Sequence, residues 1–143
     1  MKIKEIRAVA VDLNPRPKTK PRVPQLATDG FISPLERYPD FNRDRWNNNW
    51  TRAACVVIAE DGTWGLGLTI HSGPVLSLIN EHFAPLLVGE NCMATEKAWD
   101  LMRRASAPYH TAGIPSYAIS AVDNALWDLK GKILGRPVYE LLG

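Results

Sequence analysis

The spacing of apolar and polar residues in the first half of the chain predicts β-strands. Residues 2–13 hold a short apolar run that meets Pro15, where strand pairing ends because proline donates no backbone hydrogen bond. Between residues 50 and 70 the side chains alternate with period two on both sides of Asp61 and Gly62. That dipeptide predicts a tight type I′ turn with two positive-φ positions. We therefore expect a first strand followed by an antiparallel hairpin.

After residue 70 the apolar spacing becomes that of helices. The pattern predicts a first helix from residues 72–74 to a cap at Gly89, a second over about 95–106, a third from 113–116 to about 134, and a last turn at 138–142. Strands followed by helices indicate an α+β fold, here a three-stranded antiparallel meander followed by a three-helix bundle.

Small residues mark one stripe of the third predicted helix, from Ala118 through Ala121 to Ala125. Such a stripe allows another element to approach closely, and so does the glycine side of the return strand, at Gly65 and Gly67. We expect the alanine stripe to be an exposed apolar face in this chain, one that self-associates or binds hydrophobic dyes.

Residues 14–48 contain six prolines and read as an irregular segment. A loop of that length is usually functional or disordered. Within it Arg45 is a candidate substrate-binding residue, because a guanidinium matches a carboxylate in a bidentate pair. Tyr38 and Trp46 are further candidates that could exclude water from such a pair. The alternative is an ordinary surface arginine.

The remaining acidic residues and the histidines suggest little metal chemistry. Glu36, Asp40 and Asp44 recur every four residues, but Pro39 breaks that helix, which favours a charge-paired loop over a cation site. The three histidines stand apart from one another and from the two cysteines. No pair of metal ligands therefore stands at helical spacing among the histidines and cysteines of this sequence.

Charged residues also follow the third predicted helix. Asp128 and Lys132 have the favourable i,i+4 order, with the acid before the base. Asp123 and Trp127 share a face of the same helix. A polar flank along a packed helix and a catalytic acid are both compatible with this pattern.

The composition excludes several classes of protein. The 143 residues suit one domain, and a formal charge of +2 gives no reason to expect binding to nucleic acid or to a membrane. No apolar run approaches the ~20 residues that a membrane span needs. We expect a cytoplasmic protein.

Residues 118–143, AISAVDNALWDLKGKILGRPVYELLG, resemble the N-terminal signature of the mandelate racemase/muconate lactonizing group of the enolase superfamily. The order of the first strand, the hairpin with Gly65 and Gly67, and the 87–99 stretch agrees, so the resemblance covers essentially all 143 residues. Within that group, residues 33–45 look most like the loop of L-rhamnonate dehydratase-type acid-sugar dehydratases.

The resemblance implies that residues 1–143 form a capping domain with a substrate-specificity loop at about 14–48. The cap would cover a C-terminal (β/α) barrel, absent from this chain, where carboxylates hold Mg²⁺ and a base removes the proton α to the substrate carboxylate. A dehydratase then expels the β-hydroxyl to leave a 2-keto-3-deoxy acid. On this resemblance the chain would hold no catalytic residue and no metal ligand, and alone it would be inactive, as a fragment or one piece of a longer protein. The complete enzyme is expected to be a homo-oligomer.

Arg45 matches an arginine that binds substrate in the rhamnonate-type enzymes. Residues 14–35 contain no histidine where those relatives use one, so L-rhamnonate itself is not assumed to be the substrate. A racemase or cycloisomerase of the same superfamily would share the enolate. From a different class, a stand-alone binding module remains an alternative.

Overall fold

The computed structural model describes residues 1–12 and 50–143. Three strands form one antiparallel sheet in the order β1-β2-β3, and they are β1 Ile3–Val11, β2 Arg52–Ala59 and β3 Trp64–Thr69. In the middle of the sheet Cys55 of β2 lies opposite Ala8 of β1 and Gly67 of β3. The predicted meander is confirmed.

Helices make up most of the second half. They are α1 Ser72–Ser77, a π-helical segment Leu78–Phe83, α2 Ala84–Leu87, α3 Thr95–Ala105, a 3₁₀ turn Ala107–Tyr109, α4 Ile114–Leu134 and α5 Val138–Leu142. The first predicted helix is thus a helical run whose middle turn is wider than an α-helical turn. The α+β fold class predicted from the sequence is confirmed, and none of the described helices is long and apolar enough to cross a membrane.

The core lies between one face of the sheet and the helices. Period-two alternation turns Ala53, Cys55 and Val57 of β2 inward, where their side chains are fully buried. Phe83 and Leu126 are also fully buried in the same apolar cluster. The sheet is therefore covered by helices on this inner face.

α4 contacts β3 at very short range because the strand has no side chains where the helix crosses it. A Cβ atom placed on Gly67 would overlap the carbonyl oxygen of Ala121, and one on Gly65 would overlap that of Ala125. The alanine stripe from Ala118 to Ala125 is consequently fully buried. Our expectation that the stripe is an exposed apolar face was wrong, because β3 already covers it.

The exposed apolar surface lies on the outer face of the sheet instead. Trp64, Leu66 and Leu68 alternate with the glycines of β3, and each is between 39% and 50% exposed. Val9 of β1, opposite Ala54 and hence on the same face, is 43% exposed.

The hairpin turn differs from the predicted type I′ turn. Of the two central residues proposed, only Gly62 has a positive φ, at 86°. The N–H of Gly62 donates to the carbonyl of Ala59, and the N–H of Ala59 donates to that of Thr63. These contacts define a three-residue loop with the glycine in a bulge. The Asp61 carboxylate accepts the Thr63 N–H at 2.9 Å, which favours this longer loop.

Helix side chains bond backbone groups on both edges of the sheet. Asn80 in the π-helical segment accepts the Ala8 N–H at 2.8 Å and donates to the Ala8 carbonyl at 3.0 Å. On the opposite edge the Asp128 carboxylate accepts the Leu66 N–H at 2.8 Å, and Lys132 donates to the Trp64 carbonyl at 3.0 Å. Occupied edge groups cannot pair with a strand of another molecule.

Candidate functional site

One end of the sheet brings several loop residues together, and we call it the loop end. β1 finishes there next to the start of β2, because Val11 lies opposite Arg52. β3 finishes there too, since Thr69 lies opposite Ala53. In the sequence Asp12 follows β1 and Trp50 comes shortly before β2, so these two residues flank the segment 13–49. Because functional side chains are commonly carried on loops at the end of a rigid scaffold, the loop end is the candidate site.

His71 stands at the centre of the loop end in a left-handed backbone conformation, with φ 61° and ψ 51°. Its imidazole meets the indole of Trp50 edge-on, with centroids 5.9 Å apart and planes at 84°. It meets the ring of Tyr117 in α4 at 5.0 Å and 69°. Edge-to-face contacts of this kind are favourable, whereas a left-handed non-glycine residue costs conformational energy.

Hydrogen bonds join the start of β2 to the start of α1 beside these rings. The N–H of Ser72 donates to the carbonyl of Thr51 at 3.1 Å, and the two hydroxyls are 3.2 Å apart. Gly73 follows, and a Cβ atom at that position would come within 2.5 Å of Nε1 of Trp50. The indole thus lies directly against the backbone of α1.

The substrate-binding candidates Tyr38, Arg45 and Trp46 lie outside the described residues. Glu36, Asp40 and Asp44 lie there as well. Their roles therefore stay predictions.

The charged flank of α4 divides into two parts. Asp128 and Lys132 form the expected i,i+4 ion pair at 2.7 Å, and both also bond the edge of β3, so their role is structural. Lys130 lies over the ring of Trp127 at 4.6 Å. Asp123 is half-buried, and loss of water around it raises the pKa of its carboxyl.

Titratable groups elsewhere in the described residues form no metal centre, and the Cys55 thiol is not activated. Within residues 1–12 and 50–143, no group of three or more His, Cys, Asp or Glu side chains could hold a metal ion. Burial raises the pKa of the Cys55 thiol to about 12, so the thiol stays protonated at neutral pH. His82 shares a 2.8 Å hydrogen bond with the hydroxyl of Tyr109. The contacts described at the loop end are therefore those between aromatic rings and the hydrogen bonds between Thr51 and Ser72.

Sequence reasoning did not identify the His71 cluster. The only signal was a histidine between a predicted strand and the Ser72-Gly73-Pro74 helix start. Neither its positive φ nor its proximity to Trp50 and Tyr117 follows from local spacing, since these contacts join residues far apart in the sequence.

Known proteins are similar to this chain in sequence and in fold. A profile of the mandelate racemase / muconate lactonizing enzyme N-terminal domain matches residues 48–143. An L-rhamnonate dehydratase of Saccharopolyspora erythraea is 35% identical over 146 aligned residues, which cover 100% of this chain and 37% of that protein.

Solved structures agree with this match. The crystal structure of L-rhamnonate dehydratase from Gibberella zeae has a TM-score of 0.79 at 30% identity, covering 99% of this chain and 34% of that one. A structure of rhamnonate dehydratase from the same organism is complexed with Mg. The 3,6-anhydro-D-galactonate cycloisomerase of Zobellia galactanivorans has a TM-score of 0.70 at 29% identity, covering 100% of this chain and 32% of that one. The chain thus spans about a third of the length of the relatives it matches.

Proposed function

The chain belongs to the mandelate racemase/muconate lactonizing enzyme family, as its N-terminal domain, and on this premise we propose that it caps the active site of a Mg²⁺-dependent sugar-acid dehydratase. The domain in this proposal is residues 1–143, with the substrate-specificity loop at about 14–48. The complete enzyme would remove the proton α to the substrate carboxylate and expel the β-hydroxyl, giving a 2-keto-3-deoxy acid.

One observation carries the choice of reaction. The sequence similarity to an L-rhamnonate dehydratase extends over the whole of this chain, at 35% identity. It therefore includes the segment 14–48 as well as the helical signature. Fold alone would not support a choice among reactions, since one fold hosts many activities.

In this proposal Arg45 binds the carboxylate of the acid sugar. A guanidinium donates two parallel hydrogen bonds to a carboxylate, and such charge-assisted pairs are stronger in a site from which water is excluded. Tyr38 and Trp46 would supply the apolar surface that excludes water. The cap would thus contribute binding and closure, and the rest of the protein the chemistry.

Mg²⁺ would stabilise the negative charge that develops on the substrate carboxylate as the α-proton leaves. The described residues do not fit a magnesium site, because they contain no group of three ligating side chains. We therefore assign the ion to the C-terminal barrel that this cap would cover in the full-length protein. In the same proposal the complete enzyme is a cytoplasmic homo-oligomer.

A second candidate reaction is cycloisomerisation. The likeness to the 3,6-anhydro-D-galactonate cycloisomerase supports it, because that structure matches the whole chain at nearly the same identity as the dehydratase. Racemisation would also begin with removal of the α-proton.

Product analysis of the full-length protein distinguishes the three reactions. The enzyme is incubated in D₂O with a panel of sugar acids and Mg²⁺, and products are followed by NMR and mass spectrometry. A dehydratase forms a 2-keto acid that has lost one water and has gained one solvent deuteron at C3. A cycloisomerase forms or opens a ring without loss of water, and a racemase incorporates one deuteron at Cα and changes nothing else. Formation of no 2-keto acid from any sugar acid would contradict the dehydratase assignment.

Kinetics of the same enzyme test the role of Arg45. Arg45→Ala is expected to lower kcat/KM by about 10- to 100-fold, because a hydrogen bond to a charged group contributes ~1.5–3 kcal/mol. Arg45→Lys should recover only part of this, since an ammonium lacks the planar fork. The matched control is Arg43→Ala, which removes a neighbouring charge. Equal kinetics for the Arg45 and Arg43 variants would reduce Arg45 to a surface residue.

A further inference from the structure

We propose that the outer face of the sheet binds the same face of a second copy of this chain, with a two-fold axis that runs along β2. The proposal names a surface for the homo-oligomer of the proposed function, and it rests on no step of the proposed reaction. Three features of the described residues support it, namely the apolar composition of the face, its small centre and the charges along its two edges.

The outer face is a regular array of mostly apolar side chains. Because alternate residues of a strand share a face, the register places three rows of side chains across it. The first row is Glu5, Ile58 and Trp64, the second is Arg7, Val56 and Leu66, and the third is Val9, Ala54 and Leu68. Only Glu5 and Arg7 in this array are charged. Trp64 is 50% exposed, whereas the described helices pack on the inner face of the sheet.

The size of the face sets the strength of the expected contact. Three strands at ~4.8 Å and three rows at ~6.8 Å give a projected area of about 300 Å². Apolar patches of that size on monomers are often functional, but a standard interface buries ~800 Å² on each partner. We therefore expect a reversible dimer in the micromolar range for residues 1–143.

The small centre of the face favours sheet-on-sheet packing. Ala54 lies between Val9 and Leu68 and is 7% exposed, whereas its two neighbours are 43% and 45% exposed. A two-fold axis along β2 sets β1 of each copy against β3 of the other, with rows of the same number opposite each other. Two sheets packed face to face in this aligned way lie ~10 Å apart, and a small residue on the axis allows that approach.

Charged side chains of α4 flank the first two rows at the β3 edge. Lys132 donates to the Trp64 carbonyl at 3.0 Å, and its ammonium lies 3.9 Å from the centre of the Trp64 ring, so it stands beside the first row. Asp128 accepts the Leu66 N–H at 2.8 Å and stands beside the second row. Both side chains are more than a third exposed, which leaves them accessible to a further partner.

The β1 edge carries the complementary charges in the same rows. Glu5 stands in the first row and Arg7 in the second, with their charged groups 3.9 Å apart. The axis along β2 sets Glu5 of each copy opposite Lys132 of the other, and Arg7 opposite Asp128. A two-fold axis across the strands through the middle row would instead set Arg7 against its own copy. Charge complementarity therefore favours a second copy as the occupant, and the axis along β2.

Sedimentation velocity of residues 1–143 tests the surface, with circular dichroism to verify that each variant is folded. The parent is expected to show a concentration-dependent equilibrium between monomer and dimer. Leu66→Glu should raise Kd at least about 10-fold, because each dimer would bury two unpaired carboxylates. The matched control is Leu142→Glu, at an exposed leucine outside the sheet, which should leave Kd unchanged. A parent that stays monomeric up to ~1 mM, or an equal Kd for Leu66→Glu and the parent, would overturn the proposal.

Exchange of the two β1 charges tests the axis. The double variant Glu5→Arg with Arg7→Glu keeps the net charge and the ion pair within one chain, but it sets like charges opposite Lys132 and Asp128. Its Kd should be about 10-fold above that of the parent. Addition of ~0.5 M NaCl should remove most of this difference, because exposed charges are screened by salt. An unchanged Kd in the double variant would overturn the proposal.

The full-length protein provides the last readout. Leu66→Glu should reduce the mass of its oligomer about two-fold in light scattering, since a two-fold contact joins the copies in pairs. An unchanged mass together with lower stability would mean that the segment 13–49 or the rest of the protein covers this face, and it would overturn the proposal. Because mass is measured without turnover, a protein that assembles as expected but converts no sugar acid would contradict the proposed function alone.

Discussion

Close contact between α4 and β3 depends on the absence of a side chain at Gly67. A methyl group there would lie 2.9 Å from the carbonyl carbon of Ala121 and 3.0 Å from the backbone nitrogen of Ala125, and closer still to the Ala121 oxygen. All three are backbone atoms of a helix, so no side-chain rotation can relieve the overlap. Gly67→Ala should therefore force α4 away from the sheet by on the order of 1 Å to restore ordinary contact distances of ~3.5–4.0 Å.

The expected cost is the balance of two effects. Overpacking a core commonly costs ~1–3 kcal/mol, and a clash with rigid backbone belongs near the upper value. Alanine restricts the unfolded chain more than glycine does, and this offsets ~0.4–1 kcal/mol of the lost stability. The net loss is about 2 kcal/mol, or ~8 °C in Tm for a domain of this size.

Urea unfolding followed by circular dichroism measures this loss, with Gly62→Ala as the matched control. Gly62 lies in the hairpin turn with φ 86°, and nothing lies within 4 Å of a Cβ atom placed there. That variant tests backbone strain without overlap and should cost about 1 kcal/mol. The reasoning is refuted if Gly67→Ala is no less stable than Gly62→Ala.

Three further predictions concern single side chains. Asn80→Ala leaves the backbone N–H and carbonyl of Ala8 without their side-chain partner and should lower the free energy of unfolding in urea by about 1–2 kcal/mol. The control Asn124→Ala, at an exposed position, should stay within ~0.5 kcal/mol of the parent, and equal losses would contradict a role of Asn80 at the sheet edge. Cys55, with its raised pKa, should resist iodoacetamide at pH 8 until the chain unfolds, and labelling of native Cys55 would show that this burial is wrong. The pKa of Asp123 is raised, so the stability that its protonated carboxyl contributes is present in acid and is lost as the pH rises through the folded-state pKa. Asp123→Asn should therefore stabilise the chain at pH 7 and lose that advantage near pH 3. A stability difference that does not change with pH would contradict desolvation as the cause.

The strands and helices could be predicted from the sequence because local periodicity determines which face is buried. The hairpin is an example, since Ala53, Cys55 and Val57 alternate with less buried residues both in the sequence and in the sheet. The predicted turn type was wrong because the Asp61 carboxylate accepts a hydrogen bond from the Thr63 N–H, and this bond favours a longer loop. The tendency of Asp-Gly to form type I′ turns does not include that contact.

Features that depend on distant parts of the chain could not be predicted from spacing. The alanine stripe from Ala118 to Ala125 was recognised as a close-packing surface, but its partner is β3 of the same chain. The π-helical segment Leu78–Phe83 has no local signal, although it places Asn80 against the edge of β1. From the sequence His71 was recognised only as an isolated histidine in a loop before a helix start, because its two ring partners come from other elements.

Turnover of sugar acids by the full-length protein tests the central claim most directly. The protein is assayed with and without Mg²⁺ for conversion of sugar acids to 2-keto-3-deoxy acids, beside residues 1–143 alone. The account predicts Mg²⁺-dependent turnover by the full-length protein and none by residues 1–143. Dehydration by the isolated chain would contradict the account, and so would a full-length protein that leaves every sugar acid unchanged.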